Sequence, residues 1–395
     1  MREAILALNA GSSSLKFGVF ARPGDELIPP LVRGSLQRAG GYGLNFRATG
    51  PDGTVLVDER WAGILPNAAT GRLIDWVEAY LGETRLVAVG HRIVHGGAEF
   101  SDSVEIDDGI LARLEALTPL APLHQPMSLA PVRLLMTSRP NLRQIACFDT
   151  AFHRTIVPPA SRYGLPRGLE AAGVRRYGFH GLSYESIAAQ LKRSGDAMAL
   201  SPESRIIIAH LGNGASLCAM QGLKSVDTTM GFSTLDGLVM GTRPGAIDPG
   251  ILLYLMQEKG LSAADLENLL YRESGLLGVS EISSDVRTLL KSDAAAAAEA
   301  LDLFAFQVAR QTAALATTLG GVDRFIFTGG IGENAPAIRR MIAERLKWLG
   351  AELDDEANAA GVTIISSSKS SILLECRSTQ EEFMIASHVL SRLLA

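Results

Sequence analysis

A short apolar strand, a glycine-rich tip and a second strand occur twice in this chain, about 200 residues apart. The first copy runs from 4–8 through NAGSSS to 15–20. The second runs from 205–209 through HLGNGAS to 217–220, and GNGASL at 212–217 echoes AGSSSL at 10–15. A supersecondary unit that returns in this way predicts two related domains, and 395 residues exceed one ordinary core. Further strands are expected at 54–58, 86–89 and 144–148, and helices at 71–81, 108–117, 184–192, 292–319 and 381–394. Strands and helices alternate, so the class is α/β. Segment 118–131 holds four prolines and reads as an irregular, rigid loop. The pair Gly329 and Gly330 reads as a loop before a helix starting near Asn334 and Pro336. The serine-rich stretch 366–371 reads as a turn between two short strands.

Charge and cysteine content narrow the function classes. With 37 basic and 42 acidic residues the net charge is −5, and no basic stripe offers a nucleic-acid footprint. Cys147, Cys218 and Cys376 lie far apart, without metal or disulfide spacing, which points to a reducing compartment. The opening apolar run is too short for a signal peptide, and no apolar stretch is long enough to span a bilayer. A soluble, cytoplasmic protein without membrane or nucleic-acid partners is expected.

Three glycine-rich loops each follow an apolar strand: NAGSSSLK at 9–16, HLGNG at 210–214 and GGIGEN at 329–334. One such loop is an ordinary turn; three together point to phosphate or nucleotide, whose oxygens bare N–H groups can cradle. None fits the P-loop or the dinucleotide fingerprint. Six of the seven histidines lie in glycine-, proline- or aromatic-rich motifs. His91, His95 and His153 read as structural, and no HExxH pair suggests zinc. Arg92 in HRIVHGG and Arg243 in MGTRPGAIDPG stand in loop-like surroundings, and arginine is the preferred partner of carboxylate and phosphoryl oxygens. The acidic candidates are Asp149, at the end of a buried strand, and Glu381 with Glu382.

Taken in order, NAGSSSLKF, HRIVHGG, APLHQP, FDTAFH, RYGFHG, HLGNGAS, MGTRPGAIDPG, ESGLLG with SSDVR, TGGIGEN and TQEE resemble the acetate kinase family over nearly the whole chain. The resemblance implies two ribonuclease-H-like (actin-like ATPase) domains with an active-site cleft between them. They would comprise 1–149 plus 382–395, and 150–381 as the nucleotide-binding domain. It implies a homodimer and transfer of the ATP γ-phosphate to acetate, with Mg²⁺, or Mn²⁺ in its place.

Carried over by position, Asn9 and Glu381 would hold the metal. Lys16 and the turn at 12–14 would lie near the phosphates, and Arg92 would bind the carboxylate. Asp149 matches the catalytic acidic residue, read as positioning Arg92. His180 and Arg243 would stabilise the phosphoryl group in flight. His210, Leu211, Gly212, Asn213 and Gly214 would contact phosphates. Asp285, Val286 and Arg287 would form the adenosine pocket with Gly330, Ile331, Gly332, Glu333 and Asn334. Val94, Leu123 and Phe179 would line a small apolar substrate pocket. The chain departs from the family pattern at Pro244, Ala246, Val286 and Thr234, the last bearing on acyl-chain preference.

The chemistry is coherent. A carboxylate is ionised at pH 7 and needs no general base, so a site rich in cationic donors suits it. A propionate or butyrate kinase would share the mechanism. A nucleotide-dependent switch or filament protein would need the loops but not Arg92, His180 and Arg243 together.

Overall fold

The computed structural model describes every residue except Met1, Ser12, Ser13, Pro23, Asp25, residues 39–42, Ile64 and Leu65. Two serines of the first glycine-rich tip therefore lie outside the described residues. The chain forms two compact units, one of Met1–Phe152 with Gln380–Ala395 and one of His153–Thr379.

The first unit is built on an eight-stranded sheet. Its strands are β1 (Glu3–Ala10), β2 (Ser14–Arg22), β3 (Val32–Arg38), β4 (Gly43–Thr49), β5 (Val55–Ala62), β6 (Arg85–Ile93), β7 (Val104–Glu105) and β8 (Arg143–Phe148). Their spatial order is β5-β4-β3-β2-β1-β6-β8-β7. β1 and β2 form the expected hairpin, with Ala10 opposite Leu15. β1, β6 and β8 run parallel, so Asn9, Arg92 and Asp149 fall at one edge of the sheet, at the carboxyl ends of their strands.

Both faces of this sheet are covered. Helix Pro66–Leu81 presents Leu73, Ile74 and Val77 to one apolar cluster with Leu6, Leu8, Phe17, Phe46 and Trp61. Each such side chain, fully buried, contributes about 1.5–3 kcal/mol. Helix Glu381–Leu394 packs on β1, β2, β6 and β8, burying Met384, Ile385, Ala386 and Val389. Its approach is close enough to require Gly90 on β6. A Cβ there would lie 2.4 Å from Ile385 Cγ2 and 2.6 Å from Val389 Cγ2.

The second unit repeats the plan in five strands: β9 (Ile206–Leu211), β10 (Ala215–Gln221), β11 (Lys224–Thr228), β12 (Arg324–Thr328) and β13 (Leu373–Cys376). Their order is β11-β10-β9-β12-β13. β9, β10 and β11 form an antiparallel meander, and β12 and β13 add in parallel. β3-β2-β1-β6-β8 has the same order and directions, as expected of two ribonuclease-H-like halves. Helix Ala295–Leu319 packs on β9, β10 and β11. It buries Ala297, Ala300, Leu301, Phe304, Ala305 and Val308 at three- and four-residue spacing, and ends at Gly320 with φ 72°.

Three local expectations are corrected. Segment 118–131 is not one loop: a short 3₁₀ turn, Thr118–Leu120, leads into helix Gln125–Ser138. Pro126 lies in that helix's first turn, where its missing N–H costs nothing, and Pro131 is accommodated inside. GGIGEN is itself a short helix, Gly329–Asn334, followed by Pro336–Arg345. The serine-rich stretch precedes a single strand, β13, and is otherwise tied by isolated bridges such as Leu353 with Ser366. Among the described residues no helix is long and apolar enough to cross a membrane.

Candidate active site

In the first unit, the ends of β1, β6 and β8 gather one cation and three carboxylates. Arg92 Nη2 donates to Asp149 Oδ2 at 2.5 Å, and Nη1 donates to the Ala10 carbonyl at 2.9 Å. Asp149 is fixed in turn by its own N–H, which donates to Ile93 O. Burial, the largest single influence, would lower the Arg92 pKa, but Asp149, Glu381 and Glu382 together outweigh it, so the guanidinium is held above its ordinary value. Asn9 Nδ2 donates to Glu381 Oε2 at 2.8 Å and to Glu382 Oε1 at 3.0 Å. Lys16 is exposed on β2, directly across from Asn9.

All three side chains, Asn9, Glu381 and Glu382, offer hard oxygens. This donor set fits Mg²⁺, which takes one or two protein oxygens and leaves the rest to phosphate and water. Among the described residues no cluster of three His, Cys, Asp or Glu forms a ready-made metal cage.

Val94 and Leu123 also belong to this unit, Val94 buried and Leu123 half-buried. Their segments are stitched together by Gln125, which accepts from His95 N–H and donates to His95 O, both at 3.1 Å. His91 and His95 are buried, and burial lowers each to about 4.

In the second unit, the tip of the β9–β10 hairpin holds Gly212, Asn213 and Gly214, with Gly212 N–H donating to Gly214 O. Around it stand His180, His210 and Arg243. The rings of His180 and His210 stack at 4.3 Å. His180 Nδ1 lies 2.8 Å from Ser216 Oγ, and His210 Nδ1 lies 2.7 Å from Ser183 Oγ. Arg243 Nη1 donates to Thr234 O at 2.8 Å. A Cβ on Gly214 would sit 2.7 Å from Arg243 Nη2 and 3.3 Å from His180 Nε2, so both side chains close over bare backbone. His180 has φ 58°, one of three described non-glycine residues with positive φ, at the position before helix Gly181–Arg193. Such backbone persists where the surroundings over-determine it. Phe179, buried beside it, has its carbonyl 2.9 Å from His153 Nε2.

At the same edge of the sheet, Thr328 ends β12 in register with His210 and leads into Gly330, Ile331, Gly332, Glu333 and Asn334. Glu333 Oε1 accepts from Gly329 N–H at 3.0 Å and Thr379 N–H at 3.2 Å. Its carboxylate is thus used within the loop. Arg339, fully buried, donates to the carbonyls of Gly332 and Glu333 and to both oxygens of Asn358. Asp285 caps the short helix Val286–Leu289 and pairs with the exposed Arg287, while Val286 is buried beneath. That hydrogen bond from Arg287 holds Asp285 below the ordinary carboxylate range.

The arrangement therefore offers, in one unit, an arginine for a carboxylate beside oxygens for a cation. In the other it offers an arginine, two histidines and exposed loop N–H groups for phosphoryl oxygens. Sequence reading missed Ser183, Tyr184, Ser216 and Gln125, which hold the site residues from behind. Ser216 at least lay within HLGNGAS, where a hydroxyl after a glycine tip is a signal.

Residues 4–387 match the Acetokinase family. An acetate kinase of Rhodopseudomonas palustris strain TIE-1 is 48% identical over 397 residues, covering 98% of each chain. The solved propionate kinase of Francisella tularensis subsp. tularensis SCHU S4 superposes with TM-score 0.88 at 34% identity, covering 98% of both chains. Porphyromonas gingivalis acetate kinase superposes at 0.83 with 36% identity, covering 99% of this chain and 100% of that one.

Proposed function

This chain belongs to the acetokinase family, and from that premise we propose that it transfers the γ-phosphoryl group of ATP to acetate, reversibly, giving acetyl phosphate and ADP. The bond from the γ-phosphorus to the bridging oxygen of ATP breaks as a carboxylate oxygen of acetate bonds to phosphorus. The observation that carries the reading is the convergence of Arg243 Nη2 and His180 Nε2 on the bare backbone of Gly214. Donors held there suit the equatorial oxygens of a phosphoryl group in flight, where charge must be matched rather than a proton removed.

In this reading Arg92 binds the acetate carboxylate and Asp149 orients Arg92. Asn9 and Glu381 would hold Mg²⁺, with Glu382 beside them, and the ion would neutralise the β- and γ-phosphate oxygens. His210, Leu211, Gly212, Asn213 and Gly214 would contact the phosphates. Asp285, Val286 and Arg287 would receive adenosine with the loop from Gly330 to Asn334. Val94 and Leu123, both of the first unit, would border the acyl group.

The reaction is placed in the cytoplasm, a reading supported by three free cysteines and by ATP as co-substrate. A homodimer is also proposed. Helix Pro249–Gln257 buries none of its residues and exposes Ile251, Leu253, Tyr254 and Met256 by 46–56%, an apolar face suited to a second copy. Light scattering on the purified chain tests this, and a monomer at micromolar concentration removes it.

Propionate is the second reading, favoured by the solved propionate kinase among its structural relatives. One methylene is worth about 1–3 kcal/mol in an apolar pocket. A hydroxylamine trap for acyl phosphate, run with Mg·ATP and formate, acetate, propionate or butyrate, decides between them. The highest kcat/KM is expected at acetate. A maximum at propionate moves the assignment, and no acyl phosphate with any acid overturns it.

A further inference from the structure

We propose that Tyr184 and Ser216 are positioning residues that set which nitrogen of His180 carries the proton. The proposal rests on the reading of His180 as a donor to the phosphoryl group. Tyr184 and Ser216 are both fully buried. Tyr184 sits one helical turn after His180, and Ser216 is the second residue of β10. The Tyr184 hydroxyl lies 2.5 Å from Ser216 Oγ, and Ser216 Oγ lies 2.8 Å from His180 Nδ1. Three side chains from two elements thus form one line that begins in the core and ends at the site.

The direction of the line follows from acidity. A phenol is far more acidic than an aliphatic alcohol and is the better donor, so Tyr184 donates to Ser216 Oγ. In the proposed line the serine proton is then directed to His180 Nδ1, which accepts it. A neutral imidazole that accepts at Nδ1 carries its proton on Nε2. Nε2 is the atom that closes over Gly214 beside Arg243 Nη2. The opposite tautomer would turn a lone pair toward phosphoryl oxygens that carry negative charge during transfer. Ring orientation is fixed separately, by stacking on His210, which Ser183 anchors. The line therefore does a different job: it selects the proton's position, not the ring's. His180 gains and loses no proton in the transfer itself.

The test reads the tautomer directly. In protein labelled with ¹⁵N-histidine, two-bond ¹H–¹⁵N correlations distinguish the two forms, and His180 is assigned by the signal lost in His180→Gln. The Nε2–H pattern is expected in the wild type at a pH where the ring is neutral. In Tyr184→Phe a mixture of tautomers is expected, with kcat about 10-fold lower and KM for acetate and ATP within about twofold. Ser216→Ala should lower kcat at least as far, and Ser216→Thr, which keeps the hydroxyl, should recover most of it. An Nδ1–H pattern in the wild type overturns the proposal, as does wild-type kcat in Tyr184→Phe. The wild-type spectrum needs no turnover. If no acid is phosphorylated, the functional reading fails while the tautomer still decides this one.

Discussion

Asn9 on the first strand and Glu381 on the last helix, 372 positions apart, are joined by a hydrogen bond of 2.8 Å. The same amide nitrogen reaches Glu382. Asn9→Ala leaves two neighbouring carboxylates without their shared donor and removes one oxygen from the proposed metal site. The Mg²⁺ concentration for half-maximal rate should rise roughly 10–100-fold. Initial rates against free Mg²⁺ check this, and an unchanged midpoint removes Asn9 from the metal site.

Arg92 and Asp149 should behave as one unit. Arg92→Ala takes the guanidinium from buried Asp149 and removes the proposed carboxylate clamp. Its kcat/KM for acetate should fall by the equivalent of about 2–4 kcal/mol. Asp149→Asn should fall by less, since Arg92 keeps its bond to Ala10 O. The double variant should lose less than the sum of the two. Strict additivity in a double-mutant cycle would show that Asp149 does not act through Arg92.

Gly214→Ala places a methyl 2.7 Å from Arg243 Nη2 and 3.3 Å from His180 Nε2. Arg243 must move, and a displacement near 1 Å at a reacting centre costs on the order of 100-fold. The expected outcome is a large loss of kcat with an unchanged circular dichroism spectrum. Near-normal turnover would mean that these two side chains do not need their places above Gly214.

Stability should fall with acid in a defined window. Buried His91 and His95 stay neutral down to about 4, whereas an ordinary histidine titrates near 6.5. Between those values the unfolded chain binds more protons than the folded one, so stability drops as pH falls from 6.5 to 4 and is unaffected by these groups above it. Each histidine contributes up to about 1.4 kcal/mol per pH unit. Urea midpoints at stepped pH should show the slope, and His91→Gln should flatten it by one histidine's share. A wild-type curve that is level from pH 6.5 to 4.5 would refute this.

Much of the fold was legible because the glycine-rich tips are short and their flanking strands strongly apolar. β9, with five of its six residues buried, advertises itself. β3, where no strand is expected, does not: five of its seven residues are exposed or half-buried, and its two buried ones, Val32 and Leu36, stand four apart rather than alternating. Helix Gln125–Ser138 was hidden by prolines that its first turn and interior tolerate. At the site, the residues facing ligand sit in recognisable motifs. Those behind them, such as Tyr184 and Gln125, depend on packing between distant segments, which no local pattern encodes.

The return of the chain to its first unit has a consequence for how the protein is made. Residues 153–379 leave the ribosome as an uninterrupted block and contain every strand of their own sheet. The first sheet, although synthesised earlier, lacks the helix that covers β1, β6 and β8 until residue 394 has been added. Ile385 and Val389 then close over Gly90, and Glu381 arrives beside Asn9. During synthesis the half begun first is therefore the half completed last, and its proposed metal-binding end cannot assemble on a nascent chain that stops short of that helix.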